Sequence, residues 1–522
     1  MTNAVTGDIS VPADAPQPSP PTRRTPRNRE GWFAQLLMRL HFYAGIFIGP
    51  FILIAAASGA LYAFTPQLER LVYADVLTAP VTETSLSLSE QVTIANEFVG
   101  SDAVIAAVRP APEPGDTTRV MYADPELGAS ETRAIFIDPG TGEVHGDFTV
   151  YGTSGQLPLR TWIDQLHRSL HLGDAGRLYS ELAASWLGVI ALAGIVLWVM
   201  RYRKARSAKQ KKNLLRPDLR AKGFARTRSL HTSAGVWVLL VALFLSATGI
   251  TWSQYGGANF SALRSAVGWE TPALNTALGA AASESDEHAG HDGHDAHAGH
   301  DGHDAHAGHD GHDGHDHGHA EGEAAGDLDS SLFDEVLAIA QDVNVNTGLV
   351  EIRPPGDSDT AWVVQEIQRS FPTEVDSVAI DPGTLEVVDR VDFAEFSFIA
   401  KLSRWGIDLH MGTMFGLPNQ IVLFVMATAI AAMVVWGYVM WWQRRPTRDP
   451  ARKVGAPPTR GAITRAPWWG IAAVLAAAAA IGIFLPLMGI SLAAFLLVDV
   501  VVGIMRRRSQ RSSRNSAPEV SS

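Results

Sequence analysis

Not one of the 522 residues is a cysteine. Disulfides, thiolate-bound metals and iron–sulfur clusters are therefore excluded as ways to staple the fold or carry electrons. No Gly-rich dinucleotide fingerprint opens a helix after a strand, so no NAD(P)H or flavin domain is expected on this chain. There is no Ser-containing nucleophile elbow and no HExxH helix, and nothing points to hydrolysis. The first 29 residues, rich in Pro, Thr and Arg, lack the apolar core and small-residue cleavage site of a signal peptide. Residues 1–35 read as a disordered cytoplasmic tail.

What is present is sharply segregated. The formal net charge of -12 averages over segments of opposite sign, and the 46% of apolar residues are gathered into runs. Six runs approach the roughly 20 residues that cross a bilayer: 40–64, 178–200, 231–252, 420–442, 468–486 and 490–504, the last two read as a tight hairpin around 487–489. Residues 201–228 carry twelve Lys and Arg against one acid, Asp218; Arg residues also precede the first run and follow the fourth and sixth. By the positive-inside rule these basic segments face the cytoplasm. The expected fold class is a membrane all-α bundle of about six transmembrane helices, multi-pass in a bacterial inner membrane with both termini cytoplasmic. It carries two small external α+β domains.

In detail, span one occupies 36–65, an external domain 66–160, and span two with a preceding short helix 161–203. A basic loop at 204–228 leads to span three at 229–253 and a second external domain at 254–400, which contains a His-rich insert at 286–320. Span four with its own short helix takes 401–445, a cytoplasmic linker 446–465, the helix pair 466–505 and a tail 506–522.

The chain is internally duplicated, as a search for repeats reveals. Ile137-Asp138-Pro139-Gly140-Thr141 returns as Ile380-Asp381-Pro382-Gly383-Thr384, an offset of 243 that also pairs Trp162 with Trp405, Leu166-His167 with Leu409-His410, and Gly173 with Gly416. At an offset of 190, Leu40-His41-x-x-Ala44-Gly45 matches Leu230-His231-x-x-Ala234-Gly235, and Ser58-Gly59 matches Thr248-Gly249. Each half is thus helix, external domain, helix. In the external segments 90–98 and 331–342 have helical spacing, while 104–109, 119–122, 133–137, 349–352, 361–365 and 375–380 read as strands.

Six histidines lie outside the insert: His41, His145, His167, His171, His231 and His410. Four recur at duplicated positions after Leu. His41 and His231 open spans one and three at the cytoplasmic edge; His167 and His410 precede spans two and four at the external edge. Ionisable residues at spans are costly and usually functional. A neutral imidazole from each of two facing helices is a standard way to hold a haem iron. The alternative places the four in the interface, bonded to backbone or lipid phosphate. From His167 to Arg201 an unbroken helix would rise about 50 Å, too long for one span, so a break is expected near Gly173 and near Gly416-Leu417-Pro418. His171, one turn beyond His167, is the alternative ligand. His145 reads as a surface residue.

The set Leu40-His41…Ser58-Gly59, Leu166-His167-Arg168…Gly173-Asp174-x-Gly176-Arg177, Leu230-His231, Leu409-His410-Met411-Gly412…Gly416-Leu417-Pro418-Asn419 and the Trp441-Trp442-Gln443-Arg444-Arg445 exit is similar to the PepSY-associated transmembrane helix family. These are iron-regulated membrane proteins found with siderophore uptake. The resemblance covers about residues 35–446. It implies PepSY-like external domains and two haem b groups held by His41, His231, His167 and His410. It also implies a haem-dependent reductase releasing iron from ferric siderophores or another periplasmic metal chelate. The partners expected are the bilayer, that chelate, and a quinol or separate protein as electron donor; no nucleic acid is expected. The C-terminal helix pair and the His-rich insert depart from the family pattern.

The insert places His288, His291, His294, His297, His300, His303, His306, His309, His312, His315, His317 and His319 among aspartates within about 32 residues. Such a tract cannot form a core and reads as disordered. Its ligand types suit a divalent transition metal. Two further functions therefore stand beside the reductase: a non-redox metal-uptake accessory using this tract, and a regulatory membrane protein working through its external domains.

Overall fold

The computed structural model describes residues 31–100, 103–278, 329–445, 458 and 465–515. The His-rich tract at 288–319 and the N-terminal segment to residue 30 lie outside the described residues.

Helices α1 (Trp32–Phe47) and α2 (Gly49–Tyr62) form one apolar stretch bent by 62°. Pro50 is the cause. It has no N–H to offer the carbonyl four residues back, and its ring clashes there. That carbonyl, Ile46 O, accepts instead from the Tyr438 hydroxyl at 2.6 Å. Two short helices, α3 (Thr65–Val72) and α4 (Ala74–Leu77), then lead to α5 (Leu88–Val99), whose N-terminus is fixed by a Ser87/Glu90 capping box. Strands β1 (Ile105–Arg109), β2 (Thr118–Tyr122), β3 (Glu131–Ile137) and β4 (Val144–Tyr151) make an antiparallel meander.

After β4, α6 (Pro158–Ser169) ends in a reversal through Leu170, His171 and Gly173, all at positive φ, and α7 (Gly173–Lys204) departs in a new direction. The two helices touch at Gly176, where a Cβ would lie 1.6 Å from the Ser169 carbonyl oxygen. The basic segment contains α8 (Ala208–Leu215). Next come α9 (Gly223–Thr251), α10 (Gln254–Val267) and α11 (Leu332–Asp342). A second meander follows: β5 (Val350–Arg353), β6 (Trp362–Glu366), β7 (Ser377–Ile380) and β8 (Val387–Val391). Helix α12 (Phe398–Met411) ends at Gly412, and α13 (Leu417–Gln443) starts with Pro418 in its first turn. Last are α14 (Trp468–Phe484) and α15 (Pro486–Asn515).

Helices α7, α9 and α13 are long and apolar enough to cross a membrane, and the bent α1–α2 pair makes a fourth if it counts as one span. The chain is thus a membrane protein with three to four apolar helices of spanning length among the described residues. The other two of the six expected spans fall on shorter apolar helices. Helix α14 has 17 residues and rises about 26 Å, and α15 is continuous from Pro486 to Asn515. This pair is a short hairpin turning at Leu485–Pro486. Its turn is embedded in the bundle: Leu485 and Met488 are buried with Ile52, Trp186 and Val238, and the Trp186 indole donates to Ser491 Oγ at 2.9 Å.

The two external segments expected to form small α+β domains meet in the structure. The strands form one eight-stranded antiparallel sheet, ordered β4-β3-β2-β1-β5-β6-β7-β8. Each meander alone would leave its first strand as an open edge, with unpaired backbone groups. Pairing β1 with β5 removes both edges. The junction is reinforced by a buried ion pair, Arg109 to Glu351 at 2.6 Å, and by Asp334 of α11 accepting from the Leu88 and Ser89 N–H groups that open α5. A single core under α5 and α11, including Val92, Phe333 and Trp362, spans both halves.

Candidate functional site

The duplication places one histidine from each half opposite the other at each end of the bundle. At the end away from the sheet, His41 on α1 and His231 on α9 lie with ring centres 6.1 Å apart and planes at 81°. At the sheet end, His167 on α6 and His410 on α12 lie 6.4 Å apart with planes at 60°. Two imidazoles binding one metal from opposite sides, at about 2 Å per bond, set their ring centres ~6 Å apart.

Each ring is oriented through Nδ1. His41 Nδ1 meets the Ile190 carbonyl of α7 at 3.0 Å, and His231 Nδ1 meets the Met433 carbonyl of α13 at 3.0 Å. Residues 190 and 433 are themselves 243 apart, so the repeat duplicates the acceptor as well as the ring. A carbonyl can only accept, so Nδ1 carries the proton and Nε2 keeps its lone pair. In the other pair, His167 Nδ1 lies 3.1 Å from Ser58 Oγ, and His410 Nδ1 lies 2.6 Å from Thr248 Oγ1. Those hydroxyls donate to the Ile54 and Phe244 carbonyls, leaving their oxygens to accept from Nδ1–H. Each imidazole is thus held through Nδ1, which leaves Nε2 as the nitrogen available to a metal. The acceptors Ile190, Met433, Ser58 and Thr248 were not singled out as functional from the sequence. The Ser58-Gly59/Thr248-Gly249 match was a usable signal for two of them.

Around the sheet-end pair lies a cavity of about 320 Å3. Its walls within the bundle are small or apolar: Ala55, Ala56, Gly59, Ala183, Ala184, Gly249 and Ile430. A Cβ on Gly59 would stand 3.1 Å from the His167 ring. The mouth toward the sheet is charged, with Arg168, Arg369 and Arg404 beside one acid, Asp164, in its lining. Burial, with Arg404 beside it, pulls the Arg369 guanidinium down to about 10. Arg404 and Arg369 flank the fully buried Asp408 at 3.1 and 3.7 Å. A slot with apolar walls, two facing imidazoles and arginines at its rim suits a flat apolar group carrying carboxylates. Among the described residues no group of three or more His, Asp or Glu is placed to hold a bare metal ion. The donors come in pairs, which suits a metal whose remaining positions are filled by its own macrocycle.

His167, and not His171, faces His410. His171 sits in the reversal after α6 at φ 56°, exposed, with its ring 5.0 Å from Trp162. His145 is held on β4 by the Asp75 carbonyl at 2.9 Å, remote from both pairs.

The PepSY-associated TM region matches residues 38–444. The chain belongs to this family. The matched segment includes both histidine pairs and every strand of the sheet, and it ends before the α14–α15 hairpin. No curated protein matches this sequence.

Proposed function

We propose that this PepSY-associated membrane protein holds two haem groups and passes electrons through the bundle to a ferric siderophore or other metal chelate on the sheet side. The carrying observation is the pair of histidine pairs, one at each end of the bundle, with ring centres 6.1 and 6.4 Å apart, which would let each pair hold one haem group. His41 and His231 would hold one group, His167 and His410 the other. Seventeen residues separate His41 from Ser58 and His231 from Thr248, so the two levels are about 26 Å apart along the helices. When bound, haem supplies one-electron redox chemistry at each level. The chain's own part is to present Nε2 by fixing Nδ1–H, to surround the rings with apolar side chains that exclude water, and to offer Arg168, Arg369 and Arg404 to propionates.

The distribution of Lys and Arg supports a reading in which the sheet faces the periplasm of a bacterial inner membrane and the basic segments face the cytoplasm. Electrons then run outward, from a quinol or a separate donor protein near His41 and His231 to the chelate near the sheet. In this reading the His-rich tract gathers divalent transition metal on the same outer side.

Optical spectra of the detergent-solubilised protein, oxidised and dithionite-reduced, test the assignment. A Soret band with sharp reduced α and β bands is expected. The His41→Ala protein should keep one haem where the parent has two. A colourless protein, or unchanged haem content in that variant, would overturn the proposal and leave the non-redox functions.

A further inference from the structure

At the end of the bundle away from the sheet, α7, α8 and α9 enclose a second cavity of about 400 Å3. Two indoles fold α8 back to make it. Trp198 Nε1 on α7 donates to the Leu214 carbonyl at 3.1 Å, and Trp237 Nε1 on α9 donates to the Leu215 carbonyl at 3.0 Å. These carbonyls belong to the last turn of α8 and have no acceptor duty inside the helix. The loop that closes the other side is tied down by the Asp218 N–H, which donates to Ser229 Oγ at 2.9 Å. The cavity is therefore pre-formed.

Its lining brings three cations, Arg201, Lys204 and Arg228, to one acid, Asp218. The Asp218 carboxylate is already engaged with the Arg220 N–H at 3.2 Å and with Asn213 Nδ2 at 3.4 Å. Among the described residues no ion pair involves any of the three cations. Converging guanidinium groups with no paired carboxylate suit a compact, multiply charged oxyanion, which Arg binds through two parallel hydrogen bonds. We propose that this cavity binds a phosphate group, carried either by an anionic lipid headgroup or by a soluble phosphate compound. Arg228 is three positions before His231 on α9, on neighbouring turns of the same face. The inference rests on the cavity and holds independently of what the histidines bind.

The test uses the full-length protein in detergent. Inorganic phosphate and riboflavin 5′-phosphate are titrated in as soluble probes by calorimetry. Vesicles of phosphatidylcholine with and without phosphatidylglycerol serve as the lipid arm, read by native mass spectrometry of retained lipid. At least one arm should show binding, and the arm that does identifies the source. The R201Q/R228Q variant should bind about tenfold more weakly or not at all, the loss expected for charge-assisted hydrogen bonds. K209Q/K212Q, altered at two α8 lysines outside the cavity lining, should bind like the parent. No binding in either arm, parental binding by R201Q/R228Q, or an equal loss in K209Q/K212Q would overturn the proposal. Unchanged far-ultraviolet circular dichroism separates each result from misfolding.

Discussion

Ser58 and Thr248 each fix the orientation of a histidine from another helix. Each hydroxyl spends its proton on its own helix and turns its oxygen to an imidazole of another helix. Removing that acceptor leaves Nδ1–H buried without a partner and frees the ring to turn. Loss of such a partner typically lowers metal affinity by about 10- to 100-fold. If the proposed haem assignment holds, the S58A/T248V protein is expected to bind haem at the sheet end more weakly by that order, measured as haem transfer to apomyoglobin, while the His41/His231 level is unchanged. His171 teaches the complementary point. One turn from His167 in sequence, it lies past the helix end, and the reversal through Leu170 carries it away from the cavity. Sequence spacing ranked the two residues but could not choose between them, because the choice depends on where α6 stops.

At the scale of elements, the two halves are repeats with unequal helices. Span one is broken into α1 and α2 at Pro50, whereas α9 runs unbroken through Leu240, the repeat position of Pro50. The break is stable because α13 supplies Tyr438 to the freed Ile46 carbonyl. A buried carbonyl left unmet costs about 1–3 kcal/mol. Tyr438→Phe should therefore lower the unfolding free energy by that amount, seen as an earlier midpoint in thermal unfolding of the detergent-solubilised protein. Most strands were legible from alternation, but β4 and β8 were not read as strands. β4 carries Gly146 and Asp147, poor strand formers, and β8 interrupts its valines with Asp389 and Arg390. Both sit at the outer edges of the sheet, where pairing with β3 and β7 decides the matter rather than intrinsic preference. The terminal apolar run forms a helical hairpin, as its composition suggested, with the turn at Leu485–Pro486 rather than at 487–489.

For the whole molecule, the joining of the two meanders has a pH signature. Glu351 is buried, which by itself would raise its carboxyl, but Arg109 and Arg353 outweigh burial and hold it at about 2 against an ordinary 4.5. A carboxyl depressed in the folded state adds stability that is complete above pH 4.5 and is lost as pH falls from 4.5 toward 2. The sheet should loosen in that window, followed by far-ultraviolet circular dichroism. Glu351→Gln should flatten the window and, by leaving Arg109 buried without its counter-charge, cost about 3–5 kcal/mol at neutral pH. The sequence alone determined the apolar runs, the duplication and the four repeated histidines, because hydropathy and self-similarity are properties of a string. It also determined the breaks before α7 and α13, since Gly173, Gly416 and Pro418 act locally. Only the tertiary structure decided that the two external segments share one sheet and which histidine meets His410. It alone decided which carbonyls and hydroxyls turn Nε2 inward. Each of these depends on groups more than a hundred residues apart meeting in space, and no local preference encodes that meeting.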